Sequence, residues 1–391
     1  MAKVSIIIPT FNVEPFLVEC MESITRQTLE DIEIIAINDG STDGSLAILQ
    51  QYAEKDSRIT IVDKVNEGYG IGMNIGLEKA TGEYIGILEP DDFVKLNMFG
   101  DLYDIAKAND LDFVKADFYR FTRDPDESMY LAYNHLSKNP EDYNKVFNPS
   151  KTPQAIRWIM NTWSGIYKRE FLEKHGIRHN TTPGASFQDN GFWFQTFAYA
   201  KRGMIVDKPY YLNRRDNPNS SVKNPQKVYC MNVEYDHIRD LLMRDEEVWN
   251  TFKYIYWVKK LHNYTFTLGR ISEEFKHEYV MRMSEEFKRA MVKNELDASE
   301  FTEFEWKKIG VLTTNPEEYY KAYALNEKIA TGGNMDLADT RKALKKAQED
   351  LADANRKLAT IKNSPTFKLG HAILFIPGLF KKVVNKLRHR G

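Results

Sequence analysis

The opening stretch of this chain, roughly 120 residues long, alternates β-branched runs with segments of helical periodicity, and that alternation constrains the fold most. Val4 to Ile8 is one such run, stopped at Pro9. Ile32 to Ile37 is a second, ended by Asn38-Asp39-Gly40-Ser41, and Ile59 to Val62 and Glu83 to Leu88 follow. Between them, Pro15 to Thr28 places Phe16, Leu17, Cys20 and Ile24 at helical spacing. Ser45 to Tyr52 reads as a helix, and Gly68 to Lys79 as a Gly-rich turn entering another. Strands without inside–outside alternation are buried on both faces, and the intervening helices supply the crossovers that parallel neighbours require. The expected fold class is therefore α/β, a mostly parallel sheet with helices on both faces. Ligands of such sheets sit beyond the carboxyl ends of the strands. That rule gathers Pro9-Thr10-Phe11-Asn12, Asn38-Asp39-Gly40 and Glu89-Pro90-Asp91-Asp92 on one rim.

The acidic cluster at the end of the fourth run has two readings. Carboxylates crowded at a strand end repel one another unless a cation or a basic group lies among them. Hard divalent cations such as Mg²⁺ or Mn²⁺ take oxygen ligands and are often shared with substrate phosphates. Alternatively, Asp91 or Asp92 caps a helix beginning near Val94.

At 391 residues the chain exceeds one ordinary core, so more than one domain is expected. A net charge of −2 gives no basic bias that would argue for nucleic acid. Cys20 and Cys230 lie far apart without metal-ligand spacing, which argues against a disulfide framework and for a reducing, cytoplasmic setting. The first residues lead straight into a strand without a secretory pattern, and no apolar run reaches the ~18 residues that read as a membrane span. A soluble or peripheral protein is expected.

Further along, Leu111 to Tyr119 reads as another strand and Pro125 to Pro153 as a long polar insertion. Apolar patterning resumes over Trp163 to Tyr167, with helices at Phe171 to His175 and Phe192 to Tyr199 and a strand near Met204 to Val206. From Pro225 strand signals fade into amphipathic helices. The expected boundaries are a sheet domain over 1–224, in halves 1–120 and 121–224, and a helical domain over 225–330. Leu337, Leu344, Leu351 and Leu358 then recur at heptad spacing, with Ala347, Ala354 and Ile361 at the alternate core positions. That pattern predicts a coiled coil over 334–363 and a homo-oligomer, the alternative being a solitary exposed helix. Residues 364–391 join Leu379, Phe380, Val383, Val384 and Leu387 to Lys381, Lys382, Lys386, Arg388 and Arg390, with no acidic residue. Such a basic amphipathic helix suits an anionic membrane surface, here the inner face of the cell membrane; packing on the helical domain is the alternative.

Four elements, in this order, carry a resemblance: Val4 to Asn12, Asn38-Asp39-Gly40-Ser41-Thr42-Asp43-Gly44, Ala80-Thr81-Gly82-Glu83-Tyr84-Ile85, and Glu89-Pro90-Asp91-Asp92. Together they resemble the inverting glycosyltransferases of family 2, of the bacterial surface-polysaccharide type. These have the GT-A fold, a Rossmann-like mixed sheet. The last element falls where that family has its metal-binding Asp-X-Asp motif. The resemblance is strong over 1–120, the nucleotide-sugar half, and looser over 160–221, within the acceptor half. It implies transfer of a sugar from a nucleotide sugar, expected to be UDP-linked, to a hydroxyl of a glycan or lipid-linked acceptor, assisted by Mn²⁺ or Mg²⁺.

By the same resemblance, Pro9, Thr10, Phe11, Asn12 and Glu14 lie near the nucleoside. Asp39 accepts from a pyrimidine ring N–H, although turn capping is its other reading, the one favoured for Asp43. Asn74 and Glu89 belong to the donor site, and Arg214 is a guanidinium fork on the diphosphate. Asp91 holds the metal, with Asp92 as ligand or support. The general base is Asp189, which sits where the family has a Glu-Asp pair; a helix N-cap is its other reading. Gln188 replaces the Glu, removing a negative charge beside Asp189. Gln188, Trp163 and Phe192 are acceptor-side candidates, although aromatic rings are more often core. The chain also departs from the family at Glu89, where aspartate is commoner, and at Met73, where many relatives carry arginine. Those departures leave open a noncatalytic scaffold of a polysaccharide assembly complex. A nucleotidyltransferase is disfavoured, because no Gly-rich basic loop follows the first strand.

Overall fold

The computed structural model describes residues 2–330, apart from 125, 127, 159–160 and 221–223, together with residue 356. The expected coiled coil and basic tail lie outside the described residues except for Arg356. Two compact units divide the chain, Met1–Ser272 and Glu273–Gly391.

In the first unit the β-branched runs become β1 (Val4–Thr10), β2 (Ile32–Asp39), β3 (Ile59–Lys64) and β4 (Tyr84–Ile87). They pair in parallel, in the order β3-β2-β1-β4, with Val4 facing both Ile32 and Tyr84. The crossover helices are α1 (Glu14–Thr25), α2 (Ser45–Ala53) and α3 (Tyr69–Lys79). Pro15 opens α1, where a missing N–H costs nothing, and the helix buries Leu17, Cys20, Met21 and Ile24 along one stripe.

The sheet then turns mixed. β8 (Gly165–Lys168) joins β4 antiparallel, β6 (Phe113–Arg123) joins β8 antiparallel, and β9 (Gly203–Arg214) runs parallel to β6. Beyond β9 lies β5 (Phe93–Val94), and β7 (Met129–Asn134) hangs from the free end of β6. The sheet is thus the mixed α/β type of the GT-A fold. β7 lies inside the stretch read as a long polar insertion. Its side chains are exposed on both faces, so no alternating pattern marked it. α4 (Met98–Ala108) and α5 (Arg169–Lys174) complete the cover.

The sequence-based boundary at 224 is displaced. α7 (Cys230–Leu242) and α8 (Glu246–Leu268) belong to the first unit, because α6 (Asp189–Tyr199) is buried on all sides. One face of α6 meets the sheet, where Trp193 packs edge-on against Phe113 at 5.6 Å. Its other face meets α7 and α8 through Phe194, Tyr235 and Tyr256. A helix buried all round needs cover from both directions, and α7 and α8 provide the second. The second unit contains α9 (Glu273–Val292), α10 (Glu303–Thr314) and α11 (Pro316–Ala330). A Thr302–Glu305 capping box starts α10, and Lys276 on α9 pairs with Glu327 on α11.

Candidate active site

On the rim above β1 and β2, side chains lace two loops together. Asn12 stands in the left-handed region at φ 49°. Its Oδ1 accepts the Thr42 N–H (2.8 Å), and its own N–H donates to Ser41 Oγ (3.1 Å). The Glu14 N–H donates to Asp43 Oδ2 (3.0 Å) while Glu14 Oε2 accepts the Gly44 N–H (2.7 Å), so α1 and α2 cap each other. Burial pushes Asp43 up, but hydrogen bonds from Ser45 and Glu14 outweigh it and hold the carboxyl below its usual range. Thr10 is buried with Oγ1 turned toward the Ile8 carbonyl (3.4 Å). Pro9 is half-buried. Phe11, 46% exposed, is the large apolar ring this rim leaves open to a planar ligand.

Two expected donor-site residues also tie neighbouring segments together. Asp39 Oδ1 accepts from the Glu67 N–H (3.0 Å) and from Lys64 Nζ (2.5 Å), and Oδ2 accepts the Gly68 N–H (2.9 Å). Its carboxylate therefore shapes the loop into α3, with Oδ2 accepting a single hydrogen bond. Asn74 exchanges a reciprocal pair of 2.9 Å hydrogen bonds with the backbone of His179, which ties α3 to the segment ahead of α6. The two segments approach so closely that a Cβ at Gly70 would meet the Asn180 carbonyl oxygen at 1.9 Å.

The acidic cluster is divided among three tasks. Asp92 is buried, with Oδ1 accepting the Arg214 N–H (2.6 Å) and Oδ2 accepting Asn213 Nδ2 (3.0 Å). It anchors the cluster to β9. Asp91 is less buried, and its Oδ2 accepts Asn217 Nδ2 (2.8 Å). Glu89 Oε1 accepts the Tyr69 hydroxyl (2.8 Å), and the Glu89 N–H donates to the Tyr211 hydroxyl (3.0 Å). Burial first, and then the charges of Asp91 and Asp189, push the Glu89 carboxyl up to about 8.

Arg214 is not a free phosphate fork. Nε donates to the Asp91 carbonyl (2.8 Å) and NH2 to Glu19 Oε2 (2.5 Å). The guanidinium lies between the Phe16 and Phe121 rings at 4.7 and 4.6 Å. The side chain holds the backbone of the cluster in place from below.

Asp189 opens α6 across from this cluster. Phe187, at φ 67°, makes the turn into the helix, a conformation that bulky residues adopt only under constraint. Asn190 Nδ2 donates to Asp189 Oδ1 (3.2 Å). Burial raises the Asp189 carboxyl above its usual range, against the lowering effect of Asn190 and of the Lys115 charge. Gln188 is buried, with its amide turned into the loop ahead of α6. Its Nε2 donates to Thr182 O, Thr182 Oγ1 and Gly184 O at 2.9–3.0 Å, and Oε1 accepts the Ser186 N–H (2.6 Å). That arrangement needs an amide, since a carboxylate has no N–H for three acceptors. Phe192 is fully buried, stacked on His179 at 4.5 Å, and is a core ring instead of an acceptor platform. Trp163 is half-buried against Tyr211 (4.3 Å) and Phe118 (4.8 Å).

The donor set fits a divalent cation of the hard type. Asp91 supplies a carboxylate amid unbalanced negative charge, felt as upward pressure on Glu89 and Asp92. Among the described residues no group of three or more acidic, His or Cys side chains forms a complete cage. Mg²⁺ and Mn²⁺ bound beside phosphates need only one or two protein carboxylates. Tyr69, Tyr211, Asn217, Glu234 and Lys115 were not foreseen as site residues. Tyr211 and Asn217 act across 122 and 126 residues of sequence, where no local pattern marks a partner.

A family model described as glycosyl transferase family 2 matches residues 5–176. The chain is 36% identical over 228 residues to the uncharacterized glycosyltransferase EpsJ of Bacillus subtilis, covering 57% of this chain and 64% of EpsJ. It is 30% identical over 221 residues to the glycosyltransferase GlyG of Streptococcus pneumoniae (54% of this chain, 70% of GlyG). To the uncharacterized glycosyltransferase YibD of Escherichia coli it is 34% identical over 243 residues (60% of this chain, 67% of YibD). Among solved structures, S. aureus TarS 1-349 in complex with UDP-GlcNAc superimposes with a TM-score of 0.61 at 16% identity. The match covers 86% of this chain and 95% of that one, a likeness of fold. Among the described residues no helix is long and apolar enough to cross a membrane.

Proposed function

The chain belongs to glycosyl transferase family 2, and from that premise we propose that it moves a sugar, with inversion, from a UDP-sugar to an acceptor hydroxyl of a cell-surface glycan. The observation that carries this reading is the placement of Asp189: a desolvated carboxylate at the start of α6, electrostatically coupled to Glu89 beside Asp91. A sugar hydroxyl is a poor nucleophile at neutral pH, and a carboxylate whose pKa is raised by burial is the better proton acceptor for it. Phe11 offers its open ring to the uracil, a ligand supported by the UDP-GlcNAc complex of TarS. Asp91 would hold Mn²⁺ or Mg²⁺ with the diphosphate oxygens; when bound, that cation neutralises charge on the departing nucleoside diphosphate. Asn217 holds Asp91 through its side chain and Arg214 through its backbone, so the ligand carboxylate is preset. Glu89, fixed by Tyr69 and by the Tyr211 hydroxyl, faces the donor sugar as a neutral or charged hydrogen-bonding partner.

The test is Asp189→Asn, assayed with a panel of nucleotide sugars. UDP binding in the presence of Mn²⁺, measured by calorimetry, should persist while transfer falls by two or more orders of magnitude. Near-parental turnover would remove Asp189 from the mechanism. Absence of any metal-dependent UDP binding in the parent would favour a scaffold role. We also propose that 334–363 self-associates and that 364–391 binds anionic membrane. Light scattering and vesicle sedimentation of chains ending before 334 or before 364 test each part.

A further inference from the structure

We propose that Asn263, on α8, is a positioning residue for Asp189: it fixes which way the Asn190 amide faces and so keeps a hydrogen-bond donor on the base. The inference rests on the reading of Asp189 as the base and adds a role for a helix outside the sheet. Asn263 Nδ2 donates both to Asn190 Oδ1 (3.0 Å) and to the Tyr235 hydroxyl (2.6 Å). Asn190 is buried, and its Nδ2 donates to Asp189 Oδ1 (3.2 Å) and to the Phe187 carbonyl (3.1 Å). An asparagine amide can face either way, and its two faces have opposite polarity. With its carbonyl claimed by Asn263, Asn190 presents only its amino group to Asp189. Turned over, it would aim a carbonyl oxygen at an ionised carboxylate. The backbone of the same turn is fixed from α7, where Glu234 Oε1 accepts the Gly191 N–H (2.9 Å) and Oε2 accepts Asn180 Nδ2 (3.0 Å). The approach is so close that a Cβ at Gly191 would lie 2.2 Å from Glu234 Oε1. The first turn of α6 is therefore aimed by α7 and α8 as much as by the sheet.

Four ionisable groups face Asp189 from the surrounding elements: Glu89 after β4, Tyr69 on α3, Lys115 on β6 and Glu234 on α7. They set a background that a change at Asn263 leaves in place. The contribution of Asn190 is separate, because a hydrogen bond to the charged form lowers a carboxyl pKa and its loss raises it. Activity that needs the ionised base falls as pH drops through that pKa, so a raised pKa moves the acid limb of the rate profile upward.

The decisive variant is Asn263→Asp, which keeps the shape and reverses the polarity. A carboxylate at 263 accepts the Asn190 amino group and turns the Asn190 carbonyl toward Asp189. The acid limb of kcat/KM should move up by about one pH unit, with the affinity for UDP and Mn²⁺ unchanged. An unshifted limb in a folded variant with parental UDP affinity overturns the proposal. Should Asn263→Asp fail to fold, Asn190→Leu removes the same donor directly, and an unshifted limb there overturns it equally. Asp189→Asn separates the two readings: full turnover in that variant defeats the base assignment itself. Loss of turnover there, with an unmoved limb in Asn263→Asp, defeats only the relay.

Discussion

Replacing Arg214 with lysine separates a residue that binds phosphate from one that holds the site together. A phosphate contact tolerates the swap, since the charge remains. The role seen here does not, because it needs a planar fork. Nε reaches the Asp91 carbonyl at 2.8 Å, NH2 reaches Glu19 at 2.5 Å, and the flat group fills the gap between the Phe16 and Phe121 rings. An ammonium lacks the fork whose separate nitrogens reach the Asp91 carbonyl and Glu19, and it cannot stack flat. One lost bond involving a charged donor is worth about 1.5–3 kcal/mol, and the weakened ring contacts add about 0.5–1 kcal/mol. The expected loss is therefore about 2–4 kcal/mol, a fall in melting temperature of roughly 5–15 °C for a unit of this size. Thermal unfolding followed by circular dichroism reads the change, alongside donor KM. A variant that melts within about a degree of the parent and shows only a raised KM would refute the structural role and restore the phosphate fork.

Three further outcomes follow from the same geometry. Gln188→Glu should lower the melting temperature, because three donor contacts to Thr182 and Gly184 are lost, and should raise the pH of half-maximal activity, because a second carboxylate beside Asp189 lifts its pKa. Phe192→Ala should cost about 3–5 kcal/mol in urea unfolding while leaving the acceptor KM unchanged, since the ring is in the core. Glu234 is pushed up to about 8, chiefly by burial, from an unfolded value near 4.3. A carboxyl raised in the folded state binds its proton more tightly there, so stability declines as pH rises from about 4.3 toward 8. Glu234→Gln should flatten that decline, read as urea midpoints at acid and alkaline pH; an unchanged slope would show that Glu234 is not its source.

The parallel half of the sheet was legible because its strands are buried on both faces and read as unbroken apolar runs, such as Val4 to Ile8 and Ile32 to Ile37. β7 was not legible, since a strand exposed on both faces leaves no periodic signature. The boundary at 224 misplaced α7 and α8 for a related reason. α6 is apolar enough to be covered on every side, but its sequence does not say what covers it. At the site, the rim position of Asp91 followed from local pattern, whereas Asp189 was singled out by the family resemblance and α6 begins three residues before the Phe192 expected to start it. Which polar side chains already have partners did not follow from local pattern, because Asp39 meets Gly68, Asp92 meets Arg214 and Asn74 meets His179 only after the chain has folded.

That occupancy explains how the acidic cluster can stay together without a cation. Asp92 accepts hydrogen bonds from β9, Asp39 from the α3 loop and Glu89 from Tyr69. Those bonds tie Asp92, Asp39 and Glu89 to the scaffold, and the carboxylates proposed to work are Asp91, held by Asn217, and Asp189, held by Asn190. A motif of several acids therefore resolves into supports and working groups. The supports fix the working groups before any ligand arrives, and the free energy of ordering the site is spent during folding instead of during catalysis. The departures at Glu89 and Gln188 fit the same division. Each replaces a family carboxylate, one with a longer reach to Tyr69 and the other with an amide that pins its own loop. Neither takes a carboxylate away from Asp91 or Asp189, the two positions proposed to carry transfer.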